Sequence, residues 1–139
     1  MKKPKHPQFN RKRRGEWAEV CFMAAALERG FTVAKPYGES NPYDFILDNG
    51  RRFVSVQVRS TTALVDDKYQ ITTTHGGGNK AYDLGSFDFL AALVVPCFTW
   101  YIFPIELVAT QRSLQVIPHR PTCSKKEPFR EAWHLLREG

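Results

Sequence analysis

The chain has 139 residues, 42% of them hydrophobic and 13% aromatic, which is enough to close one hydrophobic core and too apolar for wholesale disorder. Twenty Lys and Arg stand against fourteen Asp and Glu, a formal charge of +6 that favours polyanionic partners. The apolar runs are far too short to cross a bilayer and three cysteines without a CxxC pair make no disulfide framework, so a soluble, cytoplasmic domain is expected with no membrane partner.

Lys2, Lys3, Lys5, Arg11, Lys12, Arg13 and Arg14 all precede the first acid, Glu16. With Pro4 and Pro7 among them, residues 1–13 are predicted to form a flexible basic arm that tracks phosphates, ahead of one domain over residues 14–139. Glu16 and Glu19 interrupt the approach to the apolar stretch VCFMAAAL, and no cleavage pattern follows, so no secretory leader is read. In GEWAEVCFMAAALERG, apolar residues at Trp17, Val20, Cys21, Ala24 and Leu27 predict a helix that stops near Gly30. Glu16 and Glu19 then sit near its first turn, where the helix dipole tolerates negative charge.

FTVAKPY predicts a strand ended by Pro36, and GESNP a loop. YDFIL predicts a second strand with Asp44 near its start, and DNG a hairpin turn into RRFVSVQVRS. An acid between Tyr43 and Phe45 is awkward to pack, so Asp44 has either a partner or a ligand. In the strand after the turn, Val54, Val56 and Val58 share the buried face, while Phe53, Ser55, Gln57 and Arg59 share the other.

KYQITTT predicts a short strand and HGGGNKAYDLGS a glycine-rich loop; no GK[ST] follows the glycines, so a phosphate-binding P-loop is not supported. FDFLAALVVP and TWYIFPI read as buried strands at the centre of the sheet, joined by a turn over residues 96–99. PFREAWHLLREG predicts a helix from near Pro128, with Phe129, Trp133 and Leu136 on its packing side. Cys21 and Cys97 read as small core residues. His119 and Cys123 lack the second pair of ligands that a zinc site needs.

The order of elements, a helix with Glu19, a strand, a strand with Asp44, and a hairpin to a strand with Gln57 and Arg59, resembles the PD-(D/E)XK nuclease superfamily. There an Asp on one strand is followed by (Glu/Asp)-X-Lys on the next; the matching residues are Asp44 in PYDFI and Gln57-Val58-Arg59 in VQVRS. RRGEWAE is similar to the first helix of Holliday-junction resolvase relatives, whose metal-site glutamate falls on Glu19. The joint pattern of GEWAE, FMAAAL, KPYGES, PYDFI, VQVRST, FDFLA and WYIFP is similar to the small group I intron-associated, homing-type endonucleases, over roughly residues 14–105.

The resemblance implies an α/β, restriction-endonuclease-like mixed sheet flanked by helices, and hydrolysis of DNA phosphodiesters with Mg²⁺ or Mn²⁺. Asp44 is then the principal metal ligand, Glu19 a second carboxylate acting directly or through water, and Gln57 an amide-oxygen ligand in the glutamate's place. Arg59 takes the lysine's place beside the attacking water. Lys35, Glu39 and Ser40 lie on the approach to Asp44, and Arg51 and Arg52 in the hairpin, Arg13 and Arg14 in the basic run, and Lys80 after the glycines are candidate contacts to double-stranded or branched DNA. Cutting both strands with one centre per chain favours a homodimer or a higher symmetric oligomer.

Elementary chemistry agrees in part. Hard divalent cations take oxygen ligands and keep several waters, so two carboxylates, an amide oxygen and a phosphate oxygen make a reasonable shell. Glutamine supplies one negative charge fewer than glutamate, and a guanidinium stays charged, so Arg59 cannot act as a base and is left with electrostatic stabilisation. These two departures keep a second reading open, a catalytically inactive DNA-binding protein on the same fold. An RNA-binding structural module is weaker, because it leaves Glu19 and Asp44 without a role.

Overall fold

A computed structural model describes residues 10–76 and 80–138. Helix α1, Arg11–Glu28, starts at Asn10, whose side-chain oxygen accepts the Arg13 N–H at 2.9 Å and so satisfies one of the orphan donors of the first turn. Arg11, Lys12 and Arg13 therefore belong to the helix, a correction to the boundary expected at residue 13; residues 1–9 of the expected arm lie outside the described residues.

The phase of α1 also departs from the apolar stripe read in the sequence. Val20 and Leu27 are 59% and 56% exposed, and the buried line is Ala18, Phe22 and Ala26. Shape explains the choice: two alanines bring the helix close to the sheet, and the single large ring between them fills the gap. Phe22 stacks on Phe45 and Trp133, with ring centroids 5.6 and 5.5 Å away, and Trp100 meets it edge-on at 5.6 Å.

The strands that follow are β1 (Thr32–Ala34), β2 (Phe45–Asp48), β3 (Phe53–Thr61), β4 (Leu64–Val65), β5 (Lys68–Thr72), β6 (Thr74–His75), β7 (Lys80–Ala81), β8 (Phe89–Val94), β9 (Thr99–Pro104) and β10 (Ser113–Val116). Two short α-helices, α2 (Ile105–Val108) and α3 (His134–Glu138), and three single 3-10 turns complete the described elements. The main sheet runs β1-β2-β3-β8-β9, parallel only between β3 and β8, which is the mixed sheet expected. β6 and β7 pair antiparallel, and residues 77–79 of the glycine-rich stretch between them lie outside the described residues.

Val54, Val56 and Val58 face α1, as their alternation requires. A second core packs on the opposite face of the sheet, where Ile71, Leu114 and Val116 of the small β10-β5-β4 sheet join residues of β8 and β9 and of α2. Helices thus flank one face and a small sheet with α2 flanks the other. For that reason Ser55, Gln57 and Arg59 are half-buried rather than solvated.

β9 was expected at the sheet's centre and is an edge strand. Its outer side is covered by the chain before α3: the Trp100 N–H donates to Glu131 Oε2 at 2.6 Å, and the Glu131 N–H donates to Trp100 O at 2.7 Å. Covering an edge removes an open template for pairing with another chain. The same contact explains why the helix expected from Pro128 starts only at His134, because Arg130 and Glu131 are drawn alongside β9. Trp133 and Leu136 are buried against α1 as expected, whereas Phe129 packs on the other face. Cys97, expected in the core, is exposed at the β8–β9 turn, and Cys21 is half-buried. No helix among the described residues is long and apolar enough to cross a membrane.

The phase of α1 is directly testable by urea denaturation. Phe22→Ala should cost about 3–5 kcal/mol, whereas Val20→Ala and Leu27→Ala should each stay within about 0.5 kcal/mol. The reverse ranking would put the apolar stripe, and not Phe22, against the sheet.

Candidate active site

The hairpin register builds the site. Phe45 pairs with Val56, and the Asp44 N–H donates to Val56 O at 2.9 Å, so Asp44 lies across β3 from Gln57 and on the same face. Beyond the last paired residues, the Val58 N–H donates to Asp44 Oδ2 at 2.8 Å. That bond is how an acid between Tyr43 and Phe45 is accommodated: one carboxylate oxygen satisfies a backbone donor, and Oδ1 has no protein donor among the described residues. The terminal amide of Gln57 lies between two acceptors, Pro42 O at 2.6 Å and Asp44 Oδ2 at 3.3 Å, and assigning its NH2 group to that side lets it donate to both.

Glu19 arrives from α1. Its Oε1 accepts from Lys35 Nζ at 2.9 Å, and Lys35 also lies 5.0 Å from the centre of the Phe45 ring. Glu19, Lys35, Glu39 and Asp44 line a cleft of about 240 Å³. Burial pushes the Asp44 carboxyl above its usual range, against the Val58 hydrogen bond; the charge of Glu19 raises it further, while Lys35 and Arg59 oppose the rise.

Among the described residues no three His, Cys, Asp or Glu side chains converge. The donors available to a cation are the carboxylates of Asp44 and Glu19 and, with its amide turned over, the oxygen of Gln57. These are hard oxygen donors of the kind that Mg²⁺ and Mn²⁺ take while keeping water in their remaining positions. Two neighbouring carboxylates, one of them kept from ionising easily, give a cation charge to neutralise.

Arg59 diverges from this cleft. Its Nη2 donates to Thr74 O at 2.8 Å and to Tyr82 Oη at 2.6 Å, and the Tyr82 ring stacks on His75 at 4.7 Å. Arg59 Nε is buried without an acceptor. The side chain lines a second, larger groove together with Arg14. Thr74 and Tyr82 were not recognised in the sequence; they lie 15 and 23 residues from Arg59, with no spacing rule to link them.

The remaining candidates are scattered. Ser40 is exposed in the loop between Glu39 and Asn41 and does not line the cleft. Arg51 and Arg52 are exposed at the far end of the hairpin, their N–H groups both bound by Asn49 Oδ1 at 2.9 Å, about 13 Å of strand away from Asp44. Arg13 is exposed in the first turn of α1, and Lys80 is exposed on β7.

The raised pKa of Asp44 has a consequence for stability. Its ordinary value is about 3.9, and between that and the higher folded value the folded protein holds a proton that the unfolded chain has released. The contribution of this group therefore falls as pH rises through that window. Asp44→Asn keeps an acceptor for Val58 and removes the charge, so in EDTA at pH 7 it should melt above the parent, and the gap should close toward pH 4. A variant less stable than the parent at pH 7 would contradict this electrostatic account.

Comparison with known proteins places these features. The chain superimposes on the structure of a bacterial homing endonuclease, I-Ssp6803I, with a TM-score of 0.81 and 26% identity, over 91% of this chain and 93% of that one. A Holliday junction resolvase, Hjc of Archaeoglobus fulgidus, matches at 18% identity and a TM-score of 0.48, over 76% of this chain and 85% of that one, a likeness too slight to bear on function. Comparison with curated proteins gives no match. The family model described as PD-(D/E)XK endonuclease matches residues 9–136, and the chain belongs to that family.

Proposed function

We infer that this protein is a divalent-metal-dependent endonuclease of duplex DNA, with its centre at Asp44, Glu19 and Gln57. The observation that carries the reading is the register of the hairpin, which sets Asp44 opposite Gln57, together with the cleft that Asp44 and Glu19 line, in a chain of the PD-(D/E)XK endonuclease family. A homing endonuclease with the same fold supports DNA as the substrate.

Each residue has a role that its geometry supports. Asp44 is pinned through Oδ2 by the Val58 N–H, so its carboxylate is oriented before any ligand arrives. Glu19 is held by Lys35, which gives the cleft an ammonium group on the side away from β3. Lys35 can meet a phosphate oxygen there, a task that the family's strand lysine would have at position 59. Arg59 supplies a fixed positive charge; held by Thr74 and Tyr82 away from the Asp44 cleft, it acts on the phosphate from the neighbouring groove and takes no proton. A bound Mg²⁺ or Mn²⁺ would supply Lewis-acid polarisation of the phosphate and activation of water. Gln57 would hold it more weakly than a glutamate. Because each chain carries one such centre, cutting both strands takes two copies, which favours a symmetric assembly.

One observation favours the alternative, a DNA-binding protein that does not cut. With its amide assigned so that the NH2 faces Pro42 O and Asp44 Oδ2, Gln57 holds Asp44 without a metal. Incubation with supercoiled and branched DNA, with and without Mg²⁺ or Mn²⁺, separates the readings. The parent should cut only with metal, Asp44→Ala should not cut, and Glu19→Ala should be impaired less. In single-turnover assays at saturating Mn²⁺, Arg59→Lys should retain cleavage, whereas Arg59→Ala should lose about a hundredfold or more. Equal cutting by the parent and Asp44→Ala would place the centre elsewhere.

A further inference from the structure

The larger of the two clefts, about 420 Å³, is not the one that holds the carboxylates. It runs between the first two turns of α1 and the C-terminal end of β3, and Arg11, Arg14 and Arg59 are among the residues that line it. None of the residues lining it is acidic. Arg14 is held across the groove by neutral partners: Nε donates to Ser60 Oγ at 3.1 Å and Nη1 to Thr62 Oγ1 at 3.1 Å. Hydroxyls fix the direction of the fork without cancelling its charge. Burial and the neighbouring Arg11 push the Arg14 pKa below the ordinary arginine value, as an uncompensated cation requires. Like charges gathered in one concavity repel, and nothing in the groove offsets them.

A second observation is independent of charge. Gly15 also lines the groove, within α1, where glycine costs about 1 kcal/mol relative to alanine. Among the described residues, a Cβ at this position would meet no atom within 4 Å beyond its chain neighbours and its own helix backbone, so tertiary packing gives no reason for the missing side chain. What bare helix backbone permits is the close approach of a molecule that is not part of the chain.

We propose that this groove is a second phosphate subsite, which seats a DNA backbone phosphodiester against Gly15 between Arg11 and Arg14 while another phosphate, a few nucleotides away, occupies the Asp44 cleft. The proposal rests on DNA being the substrate and adds to that reading a separate anchor for the strand. From Gln57 to Ser60, within β3, and Thr62, just beyond its end, is three to five residues, about 10–17 Å of extended chain. At about 3.4 Å of axial rise per nucleotide, the anchored phosphate lies on the order of three to five nucleotides from the one cut. Such a contact sets the position of the duplex and carries no sequence information.

Fluorescence anisotropy with a labelled duplex, in EDTA and over a salt series, tests this. Arg14→Gln and Arg11→Gln should each reduce the slope of log affinity against log salt by about one. Gly15→Leu projects a side chain into the groove from a Cβ that has room among the described residues, and should weaken binding several-fold while melting no lower than the parent. Parent-like slopes in both arginine variants, with parent-like affinity in Gly15→Leu, would overturn the proposal. Should Arg14→Gln fail to fold, the exposed Arg11 and Gly15→Leu decide the outcome. A third arm uses inorganic phosphate at fixed ionic strength: if it raises the melting temperature of the parent but not of Arg14→Gln, and the DNA slopes are unchanged, the groove takes free phosphate and the proposal fails. Because binding is read without metal, a parent that binds DNA through the groove yet never cuts would sink the nuclease reading alone.

Discussion

The pairing of β2 with β3, Phe45 against Val56 through to Asp48 against Phe53, decides both the core and the site. It sends three valines toward α1 and places Asp44 across from Gln57 on the other face. A slip of one residue would exchange the two sets, exposing the valines and burying the polar groups. The turn holds the register in place. Asp48 Oδ1 accepts the Gly50 N–H, Asn49 Oδ1 accepts those of Arg51 and Arg52, and Gly50 takes a φ of +89° that few other residues adopt. Asn49 Nδ2 in turn donates to Leu136 O at 2.9 Å, which ties the turn to α3.

The second carboxylate depends on α1 in the same way. Burying Phe22 against Phe45, Trp100 and Trp133 rotates the helix so that Val20 and Leu27 face out, and Glu19, one turn before Phe22, comes to the Asp44 cleft. Packing energy from an aromatic cluster thus positions the second acid of the cleft. Asp44 then bears the cost of its surroundings, since burial and a like charge both oppose its ionisation. A site arranged in this way is less stable empty than it would be with the charge removed, as functional sites often are.

Strands and their faces were legible because alternation is local: VSVQVRS states its own register once one face is buried, and the DNG turn names its partner strand. Asp44 was legible as an anomaly, an acid where a packed residue belongs. The phase of α1 was not, because an alanine-rich helix offers two plausible apolar faces and the choice rests on the Phe22 pocket, made by Phe45, Trp100 and Trp133 from distant segments. The late start of α3 was hidden for a similar reason. Glu131 is a good helix former by propensity, but the edge of β9 has a stronger claim on it. Arg59 was read correctly as sharing a face with Gln57, yet its hydrogen bonds to Thr74 and Tyr82 depend on tertiary folding alone.

What remains central is whether Asp44 and Gln57 are ligands or only neighbours. Calorimetric titration of Mn²⁺ into the parent, Asp44→Asn and Gln57→Glu answers this without reference to DNA. A cation held by the Asp44 carboxylate and the oxygen at position 57 should bind the parent, bind more tightly to Gln57→Glu because a negative charge has been added, and be lost from Asp44→Asn. Parent-like Mn²⁺ affinity in Asp44→Asn, or no gain in Gln57→Glu, would contradict the metal centre described for this chain.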